Sequence, residues 1–322
     1  MRQFAKPTIV VSKCLEFDAC RYNGEMIPDV TIRNLQPFVT FIPVCPEVEI
    51  GLGTPRETIR IVEENGENRL VQPSTREDVT EKMEQFSNDF LQTISDVDGF
   101  ILKNRSPSCG TRDVKIYSGF EKAPAKGKGS GLFGGAVVKN FSHLPIEEEG
   151  RLSNFIIREH FFTRLFTIAY YKMIKHNKNM KDLVSFQSDN KYLFMAYNQV
   201  KQKELGRIIA NHKNEKIEVV FENYEKTLYE LFMRTPRYTS NVNVCEHIFG
   251  YFKTKLKKQE KDHFIELLQK YAEKKILLSS LLTILKSWAI RFDEKYLLRQ
   301  TYFEPYPEAL VEISDSGKGR DY

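Results

Sequence analysis

The pattern of apolar residues changes near residue 154, and this change constrains the fold of the 322-residue chain more than any other feature. Before it, short apolar runs such as Thr8–Ser12, Phe38–Cys45 and Gly99–Lys103 alternate with turn residues and with helical spacing. After it, aromatic and aliphatic residues recur at helical intervals. The sequence therefore predicts an α/β N-terminal domain with a mostly parallel sheet, followed by an all-α C-terminal domain.

The expected domain boundaries follow from the same patterns. We expect the first domain to cover residues 1–153, the helical domain residues 154–313, and a flexible polar tail residues 314–322. Beyond a first helical stretch from Asn154, the helical domain shows apolar spacing at Tyr192–Asn211, Ile217–Met233, Val242–Lys257, Lys261–Glu273 and Leu277–Phe292.

Four further segments of the first domain have readable patterns. Two runs flank Asn65-Gly66 and predict a β-hairpin, and the spacing over Thr75–Ile94 predicts a helix. The Gly- and Lys-rich stretch Ala123–Gly135 predicts a surface loop, with phosphate contact as the alternative. The acidic stretch Leu144–Arg151 predicts a link to the helical domain.

The overall composition is that of a globular protein. Hydrophobic residues make up 41% of the chain and charged residues 28%, which excludes collagen, coiled-coil rods and wholesale disorder. No apolar run approaches the ~20 residues that span a bilayer, and no signal-peptide core follows the N-terminus. We therefore expect a cytoplasmic protein with no membrane partner.

Charge is distributed unevenly along the chain, whose net charge is +5. Residues 1–150 contain 18 Lys and Arg against 22 Asp and Glu, whereas residues 151–322 contain 30 against 21. A basic helical half predicts contact with nucleic acid through clustered lysines and exposed aromatics, and a solvated basic surface is the alternative. The lysines form two runs, Lys172, Lys175, Lys178 and Lys181, and Lys253, Lys255, Lys257, Lys258 and Lys261.

Three cysteines stand where a predicted strand meets a loop, namely Cys14, Cys45 and Cys109. Ligands of open α/β sheets bind outside the carboxyl ends of the strands, so three such loops can bring three thiols together. Zinc is poorly supported, because no Cys-x-x-Cys pair occurs and five of the six histidines lie outside residues 1–150. An iron–sulfur cluster is held by thiolates, often beside a Cys-Pro step such as Cys45-Pro46. Three thiolates on a 4Fe–4S cluster leave one iron open to act as a Lewis acid.

Three sequence blocks together resemble the thiouracil desulfidase family. They are Ser12-Lys-Cys-Leu-Glu-Phe-Asp-Ala-Cys-Arg-Tyr-Asn-Gly24, Pro43-Val-Cys-Pro-Glu47 with Thr54-Pro-Arg56, and Lys103-Asn-Arg-Ser-Pro-Ser-Cys-Gly110. The resemblance implies a 4Fe–4S cluster held by Cys14, Cys45 and Cys109, with one iron not bound by protein. It also implies non-redox conversion of a thiouracil-type base to uracil with release of sulfide.

The helical half resembles a second family, the YbgA-like domain. The blocks are Phe186-Gln-Ser-Asp-Asn-Lys-Tyr-Leu-Phe-Met-Ala-Tyr197, Leu205-Gly-Arg207, His247-Ile-Phe-Gly-Tyr-Phe-Lys253 and Gln300-Thr-Tyr-Phe-Glu-Pro-Tyr-Pro-Glu308. That family often has histidine in the first block, where this chain has Gln187 and Asn190. The fusion implies that the basic helical domain presents a larger substrate, such as tRNA containing 4-thiouridine, whereas free thiouracil needs no such domain.

Four more residues are candidate catalytic groups. Glu47 can move protons while water attacks the thiocarbonyl carbon, or it can cap a helix or pair with Arg56. Ser106 and Ser108 can hydrogen-bond the base or a cluster sulfide, or simply form a turn. Cys20 can carry a persulfide or relay a proton, or be a plain buried thiol, since the family often has another residue there.

Two other functions remain open at this point. One is an RNA-binding or regulatory module whose iron–sulfur cluster is structural or senses oxygen. The other is a structural protein that binds zinc. Iron and zinc content separate these functions from the desulfidase, because the cluster type predicts about four irons per chain.

Overall fold

The structure is a computed structural model, and it describes residues 2–94, 96–120 and 123–312. The described residues form two compact units. The first consists of residues 2–169 with 307–312, and the second of residues 170–306. The predicted tail at 314–322 lies outside the described residues.

The first unit contains strands and helices in alternation, as its sequence predicts. The strands are β1 (Thr8–Ser12), β2 (Thr40–Val44), β3 (Arg60–Glu64), β4 (Glu67–Gln72), β5 (Glu77–Asp78), β6 (Gly99–Leu102), β7 (Val114–Tyr117), β8 (Ala125–Gly129) and β9 (Ile146–Glu148). The helices are α1 (Val30–Leu35), α2 (Pro46–Glu49), α3 (Thr80–Thr93), α4 (Leu132–Phe141) and α5 (Glu149–Leu152), and α6 (Phe155–Asn177) continues into the second unit.

A four-stranded parallel sheet in the order β2-β1-β6-β9 forms the centre of the first unit. Its middle strands β1 and β6 are apolar throughout because both faces are covered, and Val10 and Phe100 are fully buried. Since all four strands run the same way, the loops after Ser12, Val44, Leu102 and Glu148 leave from one edge of the sheet.

A second sheet, in the order β5-β4-β3-β7-β8, is mixed. The predicted hairpin is present as antiparallel β3 and β4, which meet at Asn65 and Gly66 with positive φ angles. β7 pairs with β3 in parallel and with β8 in antiparallel orientation.

Two segments of the first unit differ from their sequence predictions. Ala123–Gly135 was expected to be a surface loop, yet its described residues contain β8 and the first turn of α4. Leu144–Arg151 was expected to be a link, yet it contains β9, the fourth strand of the parallel sheet. Glycines and glutamates are poor strand formers, so local propensity failed where pairing with β7 and β6 determines the strands.

The described part of the second unit is helical, as predicted. Its helices are α7 (Met180–Asp189), α8 (Lys191–Tyr197), α9 (Gln199–Ala210), α10 (Ile217–Leu231), α11 (Tyr238–Gly250), α12 (Lys258–Ala272), α13 (Leu278–Arg291) and α14 (Lys295–Leu298). The single predicted helix over Tyr192–Asn211 is two helices, because the Asn198 side chain caps α9 by accepting hydrogen bonds from the amides of Val200 and Lys201. Among the described helices, none has the length and apolar character of a membrane span.

Candidate active site

Three of the thiols lie on loops at the carboxyl edge of the parallel sheet. Cys45 directly follows β2 and is the N-terminal residue of α2, where its carbonyl accepts hydrogen bonds from Val48 and Glu49. Cys14 follows β1 by two residues, and its carbonyl accepts a hydrogen bond from the Ile27 amide at 2.8 Å. Cys109 belongs to the loop after β6, in a turn closed by the Gly110 amide and the Ser106 carbonyl at 2.9 Å.

These thiols are buried and close enough to affect one another's ionisation. Burial raises the pKa of the Cys14 thiol to about 12, and negative charge on Cys45 raises it further. Full burial raises the pKa of Cys109 well above its usual value, and Cys45 and Cys14 act in the same direction. The side chains therefore share one region, although their sequence separation reaches 95 positions. Among the described residues, no three His, Cys, Asp or Glu side chains are placed to hold one metal ion.

The Ser12 hydroxyl connects two of the strand ends. It accepts a hydrogen bond from the Lys103 amide at 2.8 Å, which leaves its own proton free for the sulfur of Cys109. This bond lowers the pKa of Cys109 against the larger effect of burial. Ser12 was absent from the sequence-based candidates, although it is the last residue of β1.

Cys20 lies beside Cys45. The Cys45 Sγ atom is 3.8 Å from the Cys20 carbonyl oxygen, and a hydrogen bond with the Cys45 thiol raises the pKa of Cys20. Burial is the larger cause of that rise, to about 12. Cys20 is thus a fourth thiol of the same region, in direct contact with Cys45.

Glu47, on the first turn of α2, is fixed by two neighbours. Its Oε2 atom accepts hydrogen bonds from Nε and Nη2 of Arg56 at 2.9 and 2.6 Å, and its Oε1 atom accepts one from the Ser108 hydroxyl at 2.6 Å. The Arg56 side chain is 4% exposed, so this ion pair is shielded from solvent. The remaining nitrogen, Nη1, donates to the carbonyls of Cys20 and Gly53. Arg56 therefore joins the Cys20 loop to Glu47.

The two serines of the Cys109 loop have different partners. Ser106 Oγ accepts hydrogen bonds from the amides of Ser108 and Cys109, which is turn chemistry. The Ser108 hydroxyl lies 2.9 Å from Ser106 Oγ and 3.9 Å from Cys109 Sγ, but its single proton has its shortest contact with Glu47. Arg56, Glu47, Ser108 and Ser106 therefore form one hydrogen-bonded chain beside Cys109.

The start of α4 packs directly on the Cys109 loop through two glycines. The Gly131 amide donates to the Gly110 carbonyl at 2.7 Å, and the Gly134 amide donates to the Ser108 carbonyl at 2.9 Å. A Cβ atom at Gly134 would lie 2.4 Å from the carbonyl oxygens of Cys109 and Gly110. The stretch predicted as a loop or phosphate contact is thus the support of the Cys109 loop.

Lys103 and Glu149 are a further charged pair at the same edge, after β6 and β9. The Lys103 ammonium donates to Glu149 and to Asn104, and the Asn104 amide donates to Glu149 at 2.7 Å. Positive charge on Lys103 lowers the pKa of Cys14, whereas Glu149 raises it. Their place directly after two parallel strands is the signal that could have identified them.

The fifth cysteine lies elsewhere. Cys245 is fully buried in α11 of the second unit, 3.9 Å from the Tyr302 hydroxyl, and burial raises its pKa to about 12. It is part of the helical core, as its sequence context predicts.

Comparison with known proteins identifies the family. Residues 9–149 match the family model described as 2-thiouracil desulfurase. Over 118 residues the chain is 36% identical to the uncharacterized protein YbbK of Bacillus subtilis, covering 34% of this chain and 77% of YbbK. The chain belongs to the 2-thiouracil desulfurase family. The match spans β1 to β9 and includes every thiol of the candidate site.

The helical half has its own relatives. Residues 191–307 match a family of unknown function, DUF1722. The uncharacterized protein YbgA of Escherichia coli is 22% identical over 156 residues, which are 48% of this chain and 92% of YbgA. Both expected resemblances, one for each half of the chain, are therefore confirmed. Among solved structures, the [4Fe-4S]-dependent thiouracil desulfidase TudS matches with 25% identity and a TM-score of 0.37, over 46% of this chain and 93% of TudS.

Proposed function

We propose that this chain is a desulfidase that replaces the sulfur of a thiolated uracil with oxygen from water. The products are uracil and sulfide, so no electrons are exchanged with an outside partner. The observation that carries the proposal is the short hydrogen bond of Ser108 with Glu47 beside buried Cys109, inside the region that matches the 2-thiouracil desulfurase family.

The thiols fit a 4Fe–4S cluster. Cys14, Cys45 and Cys109 are soft sulfur donors from three separate loops, and they share one buried region. Thiolates that bind different irons of a cluster lie further apart than the ligands of one ion, which agrees with side chains that interact yet are not placed to hold a single metal. When bound through these three cysteines, the cluster would supply a Lewis-acidic iron with affinity for sulfur.

Glu47 is the proposed general base. Arg56 holds one carboxylate oxygen, so the other is directed at Ser108 and can receive a proton. The attacking water loses a proton as it adds to the thiocarbonyl carbon, and the departing sulfur gains one. A proton that reaches Glu47 directly or through Ser108 can be returned to the sulfur, which balances the reaction.

Ser106 and Cys20 act on the geometry of the site in this proposal. Ser106 fixes the turn that carries Ser108 and Cys109, because it accepts two amide hydrogen bonds from that turn. Cys20 holds Cys45 through its carbonyl and thiol, while Arg56 holds the same carbonyl. Both residues are positioning residues rather than groups that touch the reacting atoms.

The proposed substrates are free thiouracil and 4-thiouridine in tRNA. The pocket groups named above involve only residues 12–149, which suffice for a free base. The basic helical half supports the larger substrate, since positive charge favours RNA.

The test begins with protein purified without oxygen. Iron and sulfide are counted, and 2-thiouracil, 4-thiouracil and thiolated tRNA are each assayed for sulfide release. We expect about four irons per chain and turnover of at least one substrate. Bound iron without any turnover would overturn the desulfidase and favour the RNA-binding or oxygen-sensing alternative.

A matched pair of variants tests the general base. Glu47→Gln keeps the shape but cannot accept a proton, so turnover should fall ~10²-fold with iron content unchanged. Glu49→Gln is the control, because Glu49 lies on the same short helix and is exposed. Equal activity of the two variants would remove Glu47 from the mechanism.

A further inference from the structure

The two lysine runs of the helical half differ in how many of their charges are already paired. In the first run, Lys175 and Lys178 form ion pairs with Glu225 and Glu218 of α10, at 2.7 and 3.1 Å. A phosphate would have to compete with these carboxylates. The first run is therefore a poor candidate for binding a polyanion.

The second run is mostly unpaired. Lys255 pairs with Glu294, but the other four lysines, Lys253, Lys257, Lys258 and Lys261, have no ion pair among the described residues. We call these four the α12 lysine patch, because three of them stand at the start of α12. Lys253, in the turn before α12, lies with its ammonium 5.8 Å from the Phe249 ring centroid.

The acidic residues near the patch do not cancel it. Glu260 accepts a hydrogen bond from the Lys257 amide at 2.8 Å and forms an ion pair with Arg291 at 2.8 Å, so its charge is balanced by another helix. Asp262 is the remaining acid in the first turns of α12. The N-terminal end of α12 also bears the positive end of the helix dipole, which adds to the attraction of an anion.

An exposed aromatic ring stands next to the patch. Tyr251, two residues before Lys253, is 37% exposed. Its hydroxyl accepts a hydrogen bond from Tyr192 at 3.3 Å, and its ring lies at 21° to that of Tyr296. A ring held in this way loses little freedom when a base stacks on it, and stacking on aromatic side chains is typical of single-stranded RNA recognition.

We propose that the α12 lysine patch and Tyr251 form the surface on which this chain holds RNA. The lysines contact phosphates, and Tyr251 stacks on an unpaired base. Lysines alone would equally suit an anionic lipid surface, but the fixed, exposed aromatic ring favours RNA. The idea that this RNA carries the thiolated uracil rests on the proposed function, whereas binding itself does not.

The test uses the full-length protein and a tRNA transcript that has no thiolated base. Binding is measured over a range of salt concentrations for the wild type and for the triple variant Lys257→Gln, Lys258→Gln, Lys261→Gln. Each lost phosphate contact should reduce the magnitude of the salt slope by about 0.7, or about 2 for three. At 0.15 M salt this corresponds to roughly 50-fold weaker binding, counted from 1 M salt.

A second triple variant controls for total charge. Lys213→Gln, Lys216→Gln and Lys226→Gln remove the same charge from exposed positions of the same unit. We expect this control to bind tRNA within about twofold of the wild type. Equal weakening of both triple variants, or of neither, would overturn the proposal.

Tyr251 has a matched pair as well. Tyr251→Phe keeps the ring and should keep affinity, whereas Tyr251→Ala should lose about tenfold, within the range for one stacked base. Retained affinity in Tyr251→Ala would remove the stacking role, and equal loss in both variants would assign the effect to the Tyr192 hydrogen bond instead.

Two further measurements separate the possible outcomes. Vesicles containing phosphatidylglycerol are offered to the same variants, and loss of vesicle binding with tRNA binding intact would replace RNA with a membrane surface. Turnover of free thiouracil should be unchanged in the patch variants. A wild type that binds tRNA through the patch yet turns over no thiouracil would refute the proposed function alone, and thiouracil turnover without patch-dependent tRNA binding would refute this inference alone.

Discussion

Gly134 is the position at which a single added methyl group should disturb the Cys109 loop most. Its amide already donates to the Ser108 carbonyl, and a Cβ atom would meet the carbonyl oxygens of Cys109 and Gly110 at 2.4 Å each. Both contacts are to backbone of the loop that carries the thiol, so relief requires the loop or α4 to move.

Two opposing effects decide the magnitude of Gly134→Ala. Alanine is about 1 kcal/mol better than glycine inside a helix. Overpacking of a close contact typically costs about 1–3 kcal/mol, and here two backbone atoms must shift by more than half an ångström. We therefore expect a net loss of about 1–2 kcal/mol in the free energy of unfolding, together with lower iron content because Cys109 is displaced.

The neighbouring Gly135 provides the control. A Cβ atom there would meet Ser130 Oγ at 2.7 Å, and a serine hydroxyl can rotate away. Gly135→Ala should therefore be neutral or more stable by up to about 1 kcal/mol. The assay is urea unfolding followed by circular dichroism, with iron counted in the same anaerobic preparations. A Gly134→Ala protein as stable and as iron-rich as Gly135→Ala would refute the packing argument.

Three further predictions concern other residues of the first unit. Arg56→Lys should keep a positive charge but lose the paired contact with Glu47, lowering turnover by about 10- to 100-fold in a sulfide-release assay; unchanged turnover would mean that Glu47 needs no anchor. Ser108→Ala should keep iron and lose turnover, whereas Ser106→Ala should lower iron content because two loop amides lose their acceptor; the reverse pattern would contradict the assigned roles. Burial lowers the pKa of His160 from 6.5 to about 3, so protons favour the unfolded state below pH 6.5. The free energy of unfolding should then fall by about 1.4 kcal/mol between pH 7.5 and 5.5 in urea titrations, and that part of the fall should be absent in His160→Gln.

The sequence predicted the central strands well because their pattern is local. Buried parallel strands are continuous apolar runs, and Thr8–Ser12 and Gly99–Lys103 match β1 and β6 within one residue. The placement of Cys14 and Cys45 at one sheet edge then follows from strand direction alone. Cys109 also belongs there, but six residues separate it from Leu102, so strand direction alone could not place its side chain.

The parts that could not be predicted depend on contacts between distant segments. Nothing in the stretch Ala125–Gly129 indicates a strand, because its residues are Ala, Lys and Gly and only pairing with β7 orders them. Gly134 similarly looks like a helix-weakening residue until the Cys109 loop is seen against it. The pairing of Lys103 with Glu149 needs β6 and β9 to be neighbours, which the sequence does not state.

The role of Arg56 follows from the shortness of α2. A helix of four residues has too few internal hydrogen bonds to hold a side chain in place by itself. Glu47 therefore needs an external anchor, and Arg56 supplies it while its third nitrogen fixes the carbonyls of Cys20 and Gly53. Because the Cys20 carbonyl also contacts the Cys45 sulfur, one guanidinium relates the proposed base to a proposed cluster ligand. A change at Arg56 should consequently move both groups together, so loss of turnover and loss of bound iron should appear in the same variant rather than separately.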